Sequence, residues 1–209
     1  MLKVILIRHG EEEKAKLNNT EYQTFNSNLT AKGIEQVKKL ASKLKKQNIT
    51  EIYSSDIKRA LQTAEIIAKE LNVDVKLNKR LRERDIGELE KYGDDWRKVF
   101  NKIKEKELAR GIPIRDIRPP GGENLYDFRD RIKSFLNDLS KKEGNILVSA
   151  HRGVNIAIIN FAQNWNTPEF KTLEQNHACI NILSFDNKQW NVLAVNETCH
   201  LNENEFWGI

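Results

Sequence analysis

VILIRHGEEE, residues 4–13, joins four apolar residues directly to an arginine, a histidine and a glycine. A short apolar run rich in β-branched residues predicts a buried strand over residues 2–8. A strand that only filled a core would not need Arg8 and His9 at its end. The junction is therefore the first candidate for a functional site, and the three glutamates after it place negative charge beside it.

Short apolar runs alternate with helical patterns along most of the chain. Strands are predicted at residues 51–55, 73–77 and 145–150, and helices begin at Thr30 and Asp56, whose side chains suit helix N-caps. CINILSF and WNVLAVN, on either side of DNKQ, predict an antiparallel hairpin. This alternation predicts an α/β fold of three layers, α/β/α, with a mainly parallel central sheet.

Two segments depart from the alternation. The polar stretch 11–28 has no periodicity and predicts a loop. Residues 94–141 have a helical pattern that IRPPGGEN, residues 117–124, interrupts with two prolines and two glycines. Because no repeat or linker is found, the expectation is a single domain over residues 1–209 with a helical excursion at about 94–141.

Composition limits the class of protein. The chain has 209 residues, 39% hydrophobic and 31% charged, which is a globular rather than a disordered balance. No apolar run approaches the ~20 residues needed to span a bilayer, and the start lacks a secretory signal pattern. Cys179 and Cys199 make neither a disulfide framework nor a zinc motif. A cytoplasmic protein without a membrane partner is expected, and KRLRERD, residues 79–85, is the one densely charged segment.

Three junctions after predicted strands carry cations or imidazoles. Arg8 and His9 follow the first strand, Arg59 lies in the first turn of the helix after the second, and His151 and Arg152 follow the strand at 145–150. Ligands of open α/β sheets bind outside the carboxyl ends of the strands. Because the planar fork of arginine suits phosphate oxygens, these junctions predict a pocket for a phosphate anion.

Phosphoryl transfer is the chemistry that these residue types favour. A neutral imidazole is a good nucleophile at pH 7, and arginines neutralise the equatorial oxygens of the transition state without a metal. An acid must protonate the leaving oxygen, and Glu83, between Arg82 and Arg84, is available. Taken alone, Glu83 is better explained as an ordinary acid in a charged loop.

The motifs resemble those of one known family. They come in the family's order and cover residues 4 to about 201: LIRHGE, NLTAKG (28–33), IYSSDIKRALQTAEII (52–67), LRERDIGELE (81–90), PPGGEN (119–124), LVSAHRG (147–153) and NETCHL (196–201). The chain is thus identified as a member of the histidine phosphatase superfamily, in the phosphoglycerate mutase-like family and the branch of small phosphatases. The combination of RHG with SS-D-x-x-R-A-x-Q-T-A is highly specific.

The resemblance implies a phosphohistidine mechanism. In it, His9 attacks phosphorus and Glu83 protonates the leaving group, then activates water. The residues that the resemblance places around the phosphate are Arg8, Gly10, Glu11, Arg59 and His151. It implies no metal and no organic cofactor, and the substrate is expected to be a small phosphorylated metabolite. His177 and His200 are expected to be structural.

Three functions remain open. A phosphatase is preferred, because the chain is shorter than typical mutases and LRERDIGELE with PPGGE is similar to sugar bisphosphatases of the TIGAR type and to broad-specificity phosphatases. A cofactor-dependent phosphoglycerate mutase is the alternative. A polyanion-binding module using KRLRER is disfavoured, because no nucleic-acid motif accompanies it. A homodimer is left open as the assembly.

Three positions depart from the family pattern. Glu12 stands where Ser or Thr is usual, and a carboxylate there would repel a second anionic group or need a cation such as Lys14. Arg152 stands where a small residue is common and would bring positive charge to the substrate pocket. Lys91 replaces a usual glycine. These departures leave the phosphoryl-transfer residues intact and bear on the identity of the substrate.

Overall fold

The computed structural model describes residues 1–17, 20–22, 26–163 and 173–201, and within them a six-stranded sheet forms the centre of the fold. Two further strands form a separate ribbon. The strands are β1 (Leu2–Arg8), β2 (Ala15–Leu17), β3 (Thr20–Tyr22), β4 (Ile49–Ser54), β5 (Val75–Leu77), β6 (Gly144–Ala150), β7 (Ile180–Asp186) and β8 (Gln189–Glu197). The helices are α1 (Ala31–Leu44), α2 (Lys58–Leu71), α3 (Trp96–Ala109), α4 (Leu125–Leu139) and α5 (Arg152–Ala162).

The central sheet has the strand order β5-β4-β6-β1-β7-β8. β1 pairs in parallel with β6 from Leu2 opposite Gly144 to Arg8 opposite Ala150, and β4 is parallel to both β6 and β5. The predicted hairpin is β7 with β8, and it extends the sheet in antiparallel pairing beyond β1. The sheet is therefore mainly parallel, as the alternating sequence pattern predicts.

Both faces of β1 are covered, which explains its uninterrupted apolar sequence. Val4 and Leu6 belong to a core cluster with α4 and α5. Ile5 and Ile7, which point to the opposite face, pack with α1 and α2. The helices thus form one layer on each side of the sheet, and the predicted α/β/α arrangement is confirmed.

The predicted helix starts differ in their outcome. Thr30 is the N-cap of α1, and its hydroxyl accepts a hydrogen bond of 2.9 Å from Gly33 N. The prediction for Asp56 is wrong, because α2 has Ile57 as its N-cap without a side-chain cap. The Asp56 carboxylate instead accepts hydrogen bonds of 2.7 and 2.5 Å from Arg82. A bidentate arginine pair outcompetes a cap because both of its hydrogen bonds join charged groups.

The loop predicted over residues 11–28 is partly wrong. Ala15–Leu17 and Thr20–Tyr22 pair in an antiparallel ribbon. Strands of three residues are too short to show a period of two, so the sequence carries no signal for them. Residues 18–19 and 23–25 lie outside the described residues.

The segment 94–141 contains two helices of different character. α3 has no buried residue, whereas α4 contributes a buried stripe to the core. That stripe consists of Phe128, Ile132, Phe135, Leu136 and Leu139. The helix α4 therefore belongs to one of the two helical layers, and α3 lies outside them.

None of the helices in the described part of the chain is long and apolar enough to cross a bilayer. The cytoplasmic location and the single domain over residues 1–209 stay predictions.

Candidate active site

The carboxyl ends of three parallel strands bring the predicted residues together. His9 N donates to Ala150 O at 3.1 Å, and Ser55 N donates to Ser149 O at 3.1 Å, so the residues after β1, β4 and β6 stay in register. The ring centroids of His9 and His151 are consequently 5.2 Å apart. Both side chains are buried at the sheet edge where the sequence predicts a phosphate pocket.

His9 has its two ring nitrogens in different environments. Nδ1 lies 2.8 Å from the Gly10 carbonyl oxygen, which is a pure acceptor, so Nδ1 carries the proton. Nε2 accepts a hydrogen bond of 3.2 Å from Arg59 Nε. The lone pair therefore lies on Nε2, directed toward a cation, as a nucleophile for an anionic phosphate requires.

Electrostatics keep both central histidines neutral. Burial, followed by His151 and Arg59, lowers the pKa of His9 well below its ordinary value. Burial, followed by Arg59 and Arg8, lowers the pKa of His151 in the same way. Glu12 acts in the opposite direction on His9 and raises its pKa. At neutral pH Nε2 of His9 consequently carries no proton, and its lone pair accepts from Arg59.

Two buried side-chain nitrogens at this edge have no hydrogen-bond partner within the described residues. They are Arg8 Nε and His151 Nδ1. His151 Nε2 is held by Ser55 Oγ at 3.0 Å, and Arg8 Nη1 donates to Gln175 O at 2.7 Å. Since buried polar atoms are ordinarily satisfied, the orphaned atoms point to a polar ligand in this pocket.

The structure adds His177 to the cluster, a residue that the sequence analysis left as structural. Its Nε2 lies 2.7 Å from Arg8 Nη2 and 3.0 Å from Glu12 Oε2. Its ring centroid is 5.7 Å from that of His9. His177 lies before β7 and outside the matched motifs, so the one available signal was its residue type.

Glu12 is buried beside His9. Its Oε2 is 3.5 Å from His9 Nδ1. Burial raises the pKa of Glu12, but hydrogen bonding to His177 and the charge of Arg8 outweigh it, so the pKa falls to about 2. The cation that the departure at this position calls for therefore includes Arg8 of the same pocket.

Glu83 is held by backbone amides. Its Oε1 accepts from Arg84 N and its Oε2 from Gly153 N, each at 2.9 Å. Gly153 is at the start of α5, where amide groups have no partners inside the helix. The charge of Glu83 acts on both Arg8 and Arg59, so the carboxylate faces the arginines of the pocket.

The loop that carries Glu83 is clamped by α4. Arg131 Nη1 donates to Arg80 O at 2.6 Å and to Arg82 O at 2.7 Å, and Nη2 donates to Glu83 O at 3.1 Å. The same guanidinium donates to both carboxylate oxygens of Glu123, at 2.5 and 3.0 Å. Three of the five hydrogen bonds of this side chain thus hold the loop, and no motif in the sequence predicts this role for Arg131.

Gly10 is a glycine because of packing. A Cβ there would lie 2.6 Å from Gly33 O and 2.9 Å from Val37 Cγ2 of α1. Its amide donates to Thr63 Oγ1 at 3.2 Å. The expected close approach of Gly10 to a phosphate stays a prediction.

The remaining predicted site residues lie at different distances from the cluster. The Glu11 carboxylate accepts from Thr30 Oγ1 at 3.1 Å and from Lys32 Nζ at 2.8 Å, at the start of α1. Arg152 is half-buried, and its charge lowers the pKa of Arg8. The roles of Glu11 and Arg152 in substrate binding stay predictions. Lys91 is exposed and lies 4.0 Å from Glu88.

One group in the described part of the chain has the spacing of a metal site. His9, Glu12 and His177 each offer a ligand atom, and these atoms lie within 4.8 Å of one another. However, His9 Nδ1 carries a proton toward Gly10, and the Arg8 guanidinium lies 2.7 Å from His177 Nε2. A metal ion would have to displace that proton and approach a fixed cation, so the donor set does not suit one.

Relatives of this chain are found among curated proteins. A segment of 137 residues is 39% identical to "Probable phosphoglycerate mutase GpmB" of Proteus mirabilis and covers 66% of this chain and 62% of that protein. The protein of the same name from Salmonella choleraesuis is 38% identical over 136 residues, with 65% and 62% covered. The match thus spans about three fifths of the length of these relatives.

Solved structures share the fold. A phosphoserine phosphatase of Entamoeba histolytica, in complex with phosphoserine, is 25% identical with a TM-score of 0.76, covering 96% of this chain and 100% of that one. A phosphoglycerate mutase of Bacillus anthracis is 21% identical with a TM-score of 0.71, covering 96% and 95%. The family profile described as Histidine phosphatase superfamily (branch 1) matches residues 4–198. This chain therefore belongs to the histidine phosphatase superfamily, whose members are phosphatases and mutases.

Proposed function

We propose that this protein is a phosphatase that hydrolyses phosphomonoesters of small metabolites without a metal, through a phosphohistidine on His9. The observation that carries the proposal is the state of His9. Its Nδ1 proton is committed to the Gly10 carbonyl, while Nε2 holds a lone pair beside Arg59. A neutral imidazole oriented toward a buried cation is suited to attack an anionic phosphate.

The first half of the reaction transfers the phosphoryl group to the enzyme. The Nε2 lone pair of His9 forms a bond to phosphorus as the bond from phosphorus to the leaving oxygen breaks. The leaving oxygen takes a proton from Glu83 and departs as an alcohol. Arg8, Arg59 and His151 hold the phosphoryl oxygens, where their donor groups offset the charge that spreads over them.

The second half of the reaction returns the enzyme to its starting state. A water molecule gives a proton to the Glu83 carboxylate and attacks phosphorus. The bond between phosphorus and Nε2 breaks, and its electron pair returns to His9. The net change is one water consumed, with one alcohol and one phosphate released. The two backbone amides on Glu83 orient it for both proton transfers.

The contacts within the basic segment 79–85 favour an enzyme rather than a module that binds polyanions. Arg80 pairs with Asp138 at 2.8 Å, Arg82 pairs with Asp56, and Arg84 is half-buried over the Phe100 ring. Arginines engaged in this way do not form an open surface for a nucleic acid backbone.

Hydrolysis of p-nitrophenyl phosphate tests the proposal. We expect turnover that EDTA does not change, and we expect His9→Ala to lose at least a thousandfold in kcat, the order associated with a missing nucleophile. His200→Gln, which alters a histidine outside the pocket, serves as the matched control. Retention of full activity in His9→Ala would contradict the proposal.

A phosphoglycerate mutase is the second candidate, favoured by the names of the curated relatives. The two activities share the intermediate and differ in the acceptor, water or a phosphoglycerate. The buried Glu12 carboxylate favours the phosphatase, since it disfavours a second anionic group in the pocket. An enolase-coupled assay with 3-phosphoglycerate and a bisphosphate primer distinguishes them, and a rate above hydrolysis would identify a mutase.

A further inference from the structure

We infer that Glu12 stabilises the phosphorylated form of His9, so that the phosphohistidine accumulates and its hydrolysis limits turnover. The inference rests on the proposed function, because it concerns the intermediate of that reaction. It assigns a purpose to the carboxylate that stands where a hydroxyl is usual. Glu12 acts through His9 and does not contact the reacting phosphorus.

Charge on the nucleophile changes during the reaction. Before attack the His9 ring is neutral, with its proton on Nδ1. Once Nε2 is bonded to phosphorus and Nδ1 keeps its proton, the ring carries a positive charge. A fixed carboxylate beside Nδ1 therefore interacts more favourably with the phosphorylated ring than with the free one, as the aspartate of a catalytic triad does with imidazolium.

The geometry places Glu12 where this effect is largest. Its Oε2 is 3.5 Å from Nδ1, the nitrogen that keeps its proton, and both side chains are 2% exposed. The other nearby charges on His9 come from Arg59 and Arg8, which disfavour a cationic ring. The Glu12 carboxylate lies 3.0 Å from His177 Nε2, and the charge of Arg8 favours its ionised form.

The consequence for rate is opposite in the two half-reactions. A more basic imidazole attacks phosphorus faster and leaves it more slowly. Removal of the Glu12 charge is therefore expected to slow phosphorylation of His9 and to speed hydrolysis of the phosphohistidine. A disturbance of structure alone would slow both steps, so the two mechanisms separate in one experiment.

The test is rapid-quench kinetics with p-nitrophenyl phosphate and a ³²P-labelled phosphomonoester. We expect the wild type to release a burst of p-nitrophenol and to carry an acid-labile, alkali-stable phosphoryl label. In Glu12→Gln the label at steady state should fall about tenfold, the factor for one unit of imidazole pKa. The smaller Glu12→Ser should behave alike, and Glu12→Asp, which keeps the charge, should recover part of the label.

The control is Glu13→Gln, which removes the same charge from the exposed neighbour and should keep the wild-type label. An unchanged label and burst in both Glu12→Gln and Glu12→Ser would overturn the inference while leaving the proposed function in place. Slowing of both half-reactions would overturn it as well. Hydrolysis by the wild type without any label on His9 would instead overturn the proposed mechanism, and the inference with it.

Discussion

At the scale of single residues, the position of the Glu83 carboxylate depends on the absence of a side chain at Gly153. The Gly153 amide holds one carboxylate oxygen, and a Cβ on this residue would lie 2.4 Å from the other. Because the obstacle is the flexible end of a side chain, and alanine is better than glycine in a helix by about 0.5–1 kcal/mol, Gly153→Ala should fold normally. We expect kcat to fall about 100-fold, the order of general acid catalysis.

Gly111→Ala is a control in which stability should change and kcat should not. Gly111 has φ +80°, and no atom lies within 4 Å of an added Cβ. Strain at a left-handed position should cost about 1 kcal/mol of unfolding free energy without a change in kcat. Thermal melts and steady-state kinetics on both variants distinguish the two effects. Loss of stability without loss of kcat in Gly153→Ala would contradict the assigned arrangement.

A site residue is predictable from the sequence when it lies at or next to the end of a strand. Arg8 ends a buried parallel strand, and His9 and His151 directly follow such strands, so the strand pattern in the sequence is enough to place all three at one sheet edge. His177 reaches the same cluster from the segment before β7, and nothing in its neighbourhood in the sequence marks it. Contacts that join distant segments through irregular backbone leave no periodic signal.

At the scale of elements, Arg131 of α4 fixes the loop that carries Glu83. The planar fork of Arg131 reaches three backbone carbonyls and a carboxylate, which a lysine ammonium cannot satisfy together. We expect Arg131→Lys to lower kcat about tenfold with little change in KM, and to cost about 2 kcal/mol of unfolding free energy.

Arg115→Lys is the matched control, since Arg115 is exposed and lies 3.9 Å from its neighbour Asp116. It should leave kcat, KM and the pH profile as in the wild type. If Arg131→Lys lost only stability, with kcat unchanged, the clamp would be structural and Arg131 would not be a positioning residue for Glu83.

Elements with long periodic patterns were the predictable ones. The apolar stripes of α1 and α2 run the length of each helix, and the structure places these helices on one face of the sheet. The excursion at 94–141 was harder, because α3 and α4 have similar helical patterns although α4 alone has a buried face. Burial of a helix depends on what packs against it, which a single sequence does not state.

At the scale of the whole molecule, the two buried histidines of the site lower the stability of the fold at acidic pH. His9 and His151 are kept neutral in the folded protein, while in the unfolded chain they titrate near their ordinary pKa. The unfolded state therefore binds more protons than the folded state as pH falls below about 6.5. Stability is fully present above that pH and is lost below it. Buried neutral histidines at the candidate site thus make the fold sensitive to acid.

At His200, outside the pocket, the effect of one half-buried histidine on stability at low pH can be measured. Burial lowers its pKa to about 4, so its contribution is present above about pH 6.5 and is lost as pH falls toward 4. We expect the unfolding free energy of the wild type to fall steeply between pH 6.5 and 4, and His200→Gln to fall less steeply by about 2 kcal/mol after allowance for partial exposure. Urea unfolding at pH 7.5, 5.5 and 4.5 measures both. Parallel curves for the two proteins would show that His200 titrates alike in the folded and unfolded states, and the acid sensitivity would then lie with His9 and His151 at the site.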